Sequence, residues 1–218
     1  MMKDFKWRWQ DTLIVILGLA TLAYALINYS KLPQELPAQF GITGKVNRYW
    51  DKNIAIFVFG ILGIVLPLIM QFTRSIDPKR DNYKKFENAY AMSRLAIGML
   101  FNLMLVLSIA YGLGKDINVG KIAIGAVGIM FIALGNYMPQ VKDNYLFGVR
   151  TAWTLANPEV WRKTHRLSGI MWMIGGLLIF AGAFLSGALS QLLIITALVL
   201  AIIVPILYSW MISRPLKS

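Results

Sequence analysis

The sequence predicts an all-α polytopic membrane protein, a bundle of about six transmembrane helices with short amphipathic interfacial helices. Three observations carry that prediction. Hydrophobic residues make up 57% of the chain and the mean hydropathy is +0.60, more apolar than soluble domains usually are. The apolar residues gather into six runs, at about 12–29, 54–72, 92–113, 120–138, 168–186 and 189–212, each long enough or nearly so to cross a bilayer. The cations behind the formal charge of +12 flank those runs and form no single patch. That placement suits membrane lipids with anionic headgroups as partners and argues against direct nucleic-acid binding.

The first run follows Lys3, Lys6 and Arg8. It continues too far for a cleaved signal peptide and ends in Asn28-Tyr29-Ser30-Lys31 without a small-x-small cleavage site, so it is expected to remain as a span. The next stretch, 30–53, is a loop stiffened by Pro33 and Pro37, with Gly41 and Gly44 for turns and Phe40, Tyr49 and Trp50 as apolar anchors. It reads either as a compact lid on the helix ends or as a peptide-binding surface. Pro67 and Pro205 fall inside the second and sixth runs. Both are expected to kink their helices, with neighbouring helices satisfying the freed carbonyls.

Between the second and third runs, loop 73–91 places Tyr83, Phe86 and Tyr90 on one face with Lys84 and Lys85 elsewhere. This predicts a basic interfacial helix against lipid, started by Asp77-Pro78 and leading into the third span. Ser186-Gly187-Ala188 predicts a very tight turn between the last two spans. The polar groups at depth are Thr21, Asn102, Ser108 and Thr196, suited to bonds between helices. No ionisable residue stands in the middle of a run, which argues against ion- or proton-coupled transport.

Orientation follows from the cations. Of 22 Lys and Arg, only Lys31, Lys45, Arg48, Lys52, Lys115 and Lys121 fall on one side. The other sixteen, from Lys3 to Lys217 and including Arg74, Arg94 and Arg150, fall with the termini. The positive-inside bias therefore predicts a multi-pass protein with both termini cytoplasmic. All seven tryptophans are expected in loops or near span ends.

The stretch from Asn144 to Gly169 departs from this pattern of spans and connectors. Asn157-Pro158-Glu159 is a helix start: an Asn cap, a Pro that loses no hydrogen bond in the first turn, and an acid at the positive helix end. The helix is expected to run on into the fifth span. It would set Trp161, His165, Ser168 and Trp172 on one face and Arg162 and Arg166 on another. His165 is the only histidine. It reads as a side chain bonded to a backbone carbonyl or stacked on Trp161, or as a general base with Glu159, Asp143, Ser168 or Thr164 as partner. The motifs of serine hydrolases and zinc proteases are missing, and a chain with no Cys builds no usual zinc shell. No catalytic residue, metal or cofactor is expected. Arg150, beside Gly148, is expected to clamp the loop across the helix ends, with Asp143 and Glu159 as the nearest acidic partners.

Gly148-Val149-Arg150-Thr151, Trp153-Thr154-Leu155, Asn157, Val160-Trp161 and Thr164-His165-Arg166 resemble the C-terminal signature of the SdpI family. Those are bacterial membrane proteins that give immunity to a secreted toxic peptide. Upstream, Leu32-Pro33-Gln34-Glu35-Leu36-Pro37-Ala38-Gln39-Phe40-Gly41, Gly44 and Tyr49-Trp50-Asp51-Lys52 are similar to the N-terminal domain that accompanies the signature, with Gln39 where His is common and Asn47 where Asp is common. The resemblance implies a cell-membrane immunity protein that in the best-known member also holds a transcriptional repressor at the cytoplasmic face. A toxin peptide outside and a repressor inside are therefore the implied partners. Site residues are expected in the signature loop (Asn144, Gly148, Arg150, Thr151, Trp153, Thr154, Asn157, Trp161, Thr164 and His165) and in the outer loop (Pro33, Pro37, Phe40, Gly44, Tyr49 and Trp50). The chain is expected to divide into an N-terminal region, 1–114, and a C-terminal one, 115–218. The alternative is a membrane enzyme or lipid-handling protein, which would show a polar cavity opening from the signature loop into the bundle.

Overall fold

In the computed structural model, which describes residues 6–214, six helical spans are long and apolar enough to cross a membrane. They are α1 (Trp9–Asn28), α2 (Lys52–Ile76), α3 (Glu87–Gly112) and α4 (Val119–Tyr137), then, after the short α5 (Ala152–Ala156), α6 (Pro158–Phe184) and a last span. That last span is made of α7 (Gly187–Leu198) and α8 (Val204–Ser213), joined by a π-helical turn. The chain is a polytopic α-helical bundle, as its apolar runs predict. Lys3 and Lys217 of the cation distribution lie outside the described residues.

The outer loop carries an addition to the all-α expectation: an antiparallel hairpin of β1 (Glu35–Phe40) and β2 (Val46–Asp51). Leu36 pairs with Trp50 and Phe40 with Val46, and this face lies on the bundle. Leu36 is fully buried among Ala25, Leu32, Phe59, Leu105 and Ile109, with Trp50 packed beside them. Pro37, which has no amide to give, accepts a 2.7 Å bond from Ser108 through its carbonyl. Gly44 holds φ +76° at the hairpin tip, and a methyl on Gly120 would lie 1.9 Å from its carbonyl oxygen. The hairpin tip therefore rests directly on the first turn of α4.

The most extensive helix contact joins α4 to α6. Gly128 faces Gly176, and Gly135 faces Gly169, so closely that a Cβ on any of them would lie within 2.9 Å of opposing backbone. Small residues at such crossings let dispersion act between whole backbones, where lipid offers no hydrophobic drive. The turn between α6 and α7 is as tight as expected, with Gly187 at φ +67°.

Both prolines are accommodated as predicted. Pro67 leaves the Gly63 carbonyl without its helical donor, and Asn102 Nδ2 supplies one at 3.1 Å. Pro205 does the same to Ala201, whose carbonyl accepts from Trp172 Nε1 at 2.9 Å. The π-helical turn, Val199–Ile203, precedes Pro205, a usual site for such a bulge. Asn102 also accepts from Thr21 at 2.7 Å, tying α1, α2 and α3 together at depth. Thr196, by contrast, is exposed and makes no bond between helices. Trp172 is a correction to the expected belt: it lies well inside α6 and serves the interior.

Candidate functional site

The signature loop closes one end of the bundle and does so by burying polar groups in pairs. Asn144 is buried, and its Oδ1 accepts from the Leu146 and Phe147 amides at 3.0 and 2.6 Å, while its Nδ2 donates to the Lys142 and Phe147 carbonyls. The Tyr83 hydroxyl reaches Asn144 at 3.2 Å and Asp77 at 3.0 Å. The buried Asp77 carboxylate also takes the Lys79 and Tyr145 amides. Burial first, and then the Asp77 charge, push the Tyr83 hydroxyl well above the usual phenol range. Lys79 bridges to Asp143 at 2.8 Å, and Asn82 donates to the same residue.

These bonds correct the reading of loop 73–91. Tyr83, Phe86 and Tyr90 do share a face, but that face is buried against Met138, Val141, Phe147 and Trp161 and not laid on lipid. Asp77 starts the 3-10 turn Arg80–Lys85, whereas α3 begins only at Glu87. The two loops at this end form one packed layer.

The α6 start behaves as its residues predict. Asn157 Oδ1 accepts from the Glu159 and Val160 amides, with Pro158 in the first turn. Thr151 and Thr154 form a reciprocal capping box at α5, and Thr151 Oγ1 meets Ser209 Oγ of α8 at 3.1 Å. Along α6, Trp161, His165 and Ser168 are buried while Arg162 and Arg166 are exposed. Trp161 Nε1 donates to the Val141 carbonyl at 2.9 Å, and its ring stacks on His165 with centroids 4.0 Å apart.

His165 has no free nitrogen. Its Nε2 accepts from the Val149 amide at 3.0 Å, which leaves Nδ1 as the protonated nitrogen, donating to the Trp161 carbonyl at 2.9 Å. No carboxylate contacts it, and Ser168 Oγ bonds instead to the Thr164 carbonyl. Gly148, at φ +110°, is required here, because a Cβ would sit 2.3 Å from His165 Nε2. Trp153 is half-buried, and the buried Thr164 hydroxyl has no hydrogen-bond partner.

Arg150 does not find an acid. Exposed, it donates to the Tyr145 carbonyl at 2.9 Å, because Asp143 is engaged by Lys79 and Glu159 by Arg162 and Lys163. The bond stays within the loop and does not reach across the helix ends. Arg166 makes no ion pair among the described residues.

A second polar centre at this end escaped the sequence reading. Arg94, grouped above with the surface cations, is 1% exposed and forms a two-pronged ion pair with Asp11, which is 0% exposed. Gln71 donates to Asp11 at 3.1 Å, and Arg94 reaches the Pro67 carbonyl at 3.4 Å. Asp11 also accepts from the Arg8 amide as the third residue of α1. The signal was present: an acid at the start of the first run and an arginine just inside the third, brought to one end by the up-down topology.

At the opposite end, Pro33 and Pro37 pack toward α3, Phe40 joins Leu107, Val119 and Ala123, and Trp50 stacks toward Phe59 at 5.9 Å. Of Phe40, Tyr49 and Trp50, Tyr49 is the exposed one, and its hydroxyl pairs with that of Tyr111 at 3.1 Å. Behind the signature loop lies a cavity of about 120 Å³, walled by Ile97, Leu134, Met138, Val149 and Trp172. It is apolar. Its one hydroxyl, on Ser93, is spent on the Ala89 carbonyl.

Geometry and composition together define the class: a multi-pass membrane protein whose two ends are a packed polar loop layer and a hairpin. Residues 140–209 match the SdpI/YfhL protein family. Residues 16–64 match a domain of unknown function, DUF1648. The chain is 27% identical over 200 residues to the immunity protein SdpI of Bacillus subtilis (strain 168), covering 90% of this chain and 92% of that protein. No solved structure matches it.

Proposed function

We propose that this protein confers immunity against a secreted antimicrobial peptide from within the bacterial cell membrane. The observation that carries the reading is the end-to-end similarity to a protein named for immunity, spanning both the hairpin region and the signature loop. The orientation belongs to the same proposal: hairpin outside, signature loop and termini in the cytoplasm, from the bias of cations toward the loop end. Anionic lipid headgroups are natural neighbours of that cationic end. The division at residue 114 is supported by the two family matches, which fall on either side of it.

A non-catalytic role is favoured by the signature loop itself. A general base needs a free lone pair within reach of substrate, and His165 commits both nitrogens to backbone. The cavity beside it offers apolar walls, unlike the polar one an enzyme or lipid-handling protein requires. The finer proposal is that the exposed Arg150, Arg162, Lys163 and Arg166 present a surface on which a cytoplasmic repressor is held. The test is survival of a peptide-sensitive strain expressing the chain, challenged with a panel of secreted antimicrobial peptides. Protection at membrane levels matched to an inactive control supports the reading, and no protection against any of them removes it.

A further inference from the structure

At the hairpin end, an open groove of about 470 Å³ runs between the hairpin and the α3–α4 turn, within the size range of ligand sites. Its floor and walls include Phe40, Val46, Tyr49, Tyr111, Ile117 and Val119. Tyr49, Tyr111 and Ile117 are all exposed, a cluster of large side chains on an end of the bundle and not on its lipid-facing sides. Lys45 lines the groove, and Lys115 and Lys121 stand beside it in the turn and in the first turn of α4. All three are exposed and none has an ion pair among the described residues, of which Asp116 is the single acid lining the groove. At the other end of the bundle Lys84 and Arg162 have acidic partners, whereas the exposed Arg150 and Arg166 have none among the described residues. The hairpin is two-stranded, so β2, which contributes Val46 and Tyr49 to the groove, has no strand on its other side.

We infer that this groove is a docking site for an extended peptide segment in which carboxylates alternate with apolar side chains. Unpaired lysines attract the acidic groups, the aromatic and aliphatic floor takes the side chains between them, and the open edge of β2 offers main-chain hydrogen bonds. A single phosphate would leave the exposed Tyr49, Tyr111 and Ile117 and most of the volume unused, which favours a peptide over a lipid headgroup. The inference rests on the immunity reading only for the source of the peptide, the secreted antimicrobial peptide itself.

The test uses the full chain in phosphatidylcholine nanodiscs and fluorescein-labelled synthetic octapeptides read by anisotropy. The probes alternate Asp with Phe and Leu, Lys with Phe and Leu, or Asp with Ser. The first should bind about tenfold or more tightly than the other two. Lys45→Glu/Lys121→Glu and, separately, Ile117→Asp should each lose about tenfold, while Lys31→Glu, on the same end but outside the groove, should change affinity less than about twofold. No binding of the Asp–Phe–Leu peptide, equal binding of all three, or an equal loss with Lys31→Glu would overturn the site. So would abolition of binding by phosphatidylglycerol in the nanodisc, which would assign the groove to headgroups. In cells, protection that survives both groove variants at normal abundance overturns the groove as the toxin site and leaves immunity standing. Selective binding by a chain that protects against no peptide does the reverse.

Discussion

At the signature-loop end of the bundle, Asp77, Asn144, Thr154 and His165 are buried and bonded to other parts of the protein. At the hairpin end, Lys45, Lys115 and Lys121 are exposed without ion pairs among the described residues, beside an open groove. The two ends also cohere differently. The loop end relies on hydrogen bonds and ion pairs in a closed layer, whereas the hairpin is held mainly by Leu36, Phe40 and Trp50 against α1–α4. The residues that look most like chemistry in the sequence are therefore mostly scaffold.

The buried ion pair offers the largest break in that comparison. Arg94→Met leaves the Asp11 charge uncompensated, and the expected cost is about 3–5 kcal/mol, seen as a loss of folded protein in membranes and a lower Tm in detergent. The double variant Asp11→Asn/Arg94→Met should recover at least half of it. A double variant as unstable as the single would mean that the charges do not act as a pair.

Gly148→Val comes next. It forces a branched side chain into a left-handed conformation and against His165, at about 2–3 kcal/mol. His165→Gln should cost much less, about 1 kcal/mol, because an amide can both accept from Val149 and donate to Trp161. Protection should survive it. Complete loss of protection by His165→Gln at normal membrane abundance would return the loop to the class of catalytic sites.

Trp50→Ala sharpens the hairpin side. Half-buried against Phe59, Trp50 should contribute about 1–2 kcal/mol, so abundance should fall and protection should fall in proportion to it. A loss of protection at unchanged abundance would make Trp50 a binding residue. Asn102→Leu, in the depth of the bundle, removes the donor to Gly63 and the acceptor for Thr21 and should cost about 1 kcal/mol in the same melting assay.

The smallest effect is expected at Asp51. Its carboxylate caps α2, and the Asn53 amide holds its pKa below the usual carboxylate value. A lowered folded pKa means that the stabilisation is present at neutral pH and fades as pH falls through that lowered value. Asp51→Asn should lower Tm slightly at pH 7 and abolish the difference from the parent chain at strongly acid pH.

The spans, the Asn157 cap and the α6 faces were legible because each depends on residues within a few positions of one another. The hairpin was not, since Pro33, Pro37 and scattered polar residues blur the alternation that marks a strand. Tyr83 and Phe86 misled because their partner surface, around Val141 and Trp161, lies 55 to 78 residues away in sequence. Arg94 misled for the same reason, as its partner Asp11 comes from another span. Arg150 bonds within its own loop and not across the helix ends to an acid, because Lys79, from a different loop, takes Asp143.

The central claim is that the two ends do different work because they face opposite sides of the membrane. The chain has no cysteine, so single cysteines report cleanly. Lys45→Cys, in the hairpin, and Lys163→Cys, in the first turns of α6, are each treated with an impermeant thiol reagent in intact cells and again after permeabilisation. The account predicts labelling of Lys45→Cys in intact cells and of Lys163→Cys only after permeabilisation. Labelling of Lys163→Cys but not Lys45→Cys in intact cells would contradict it.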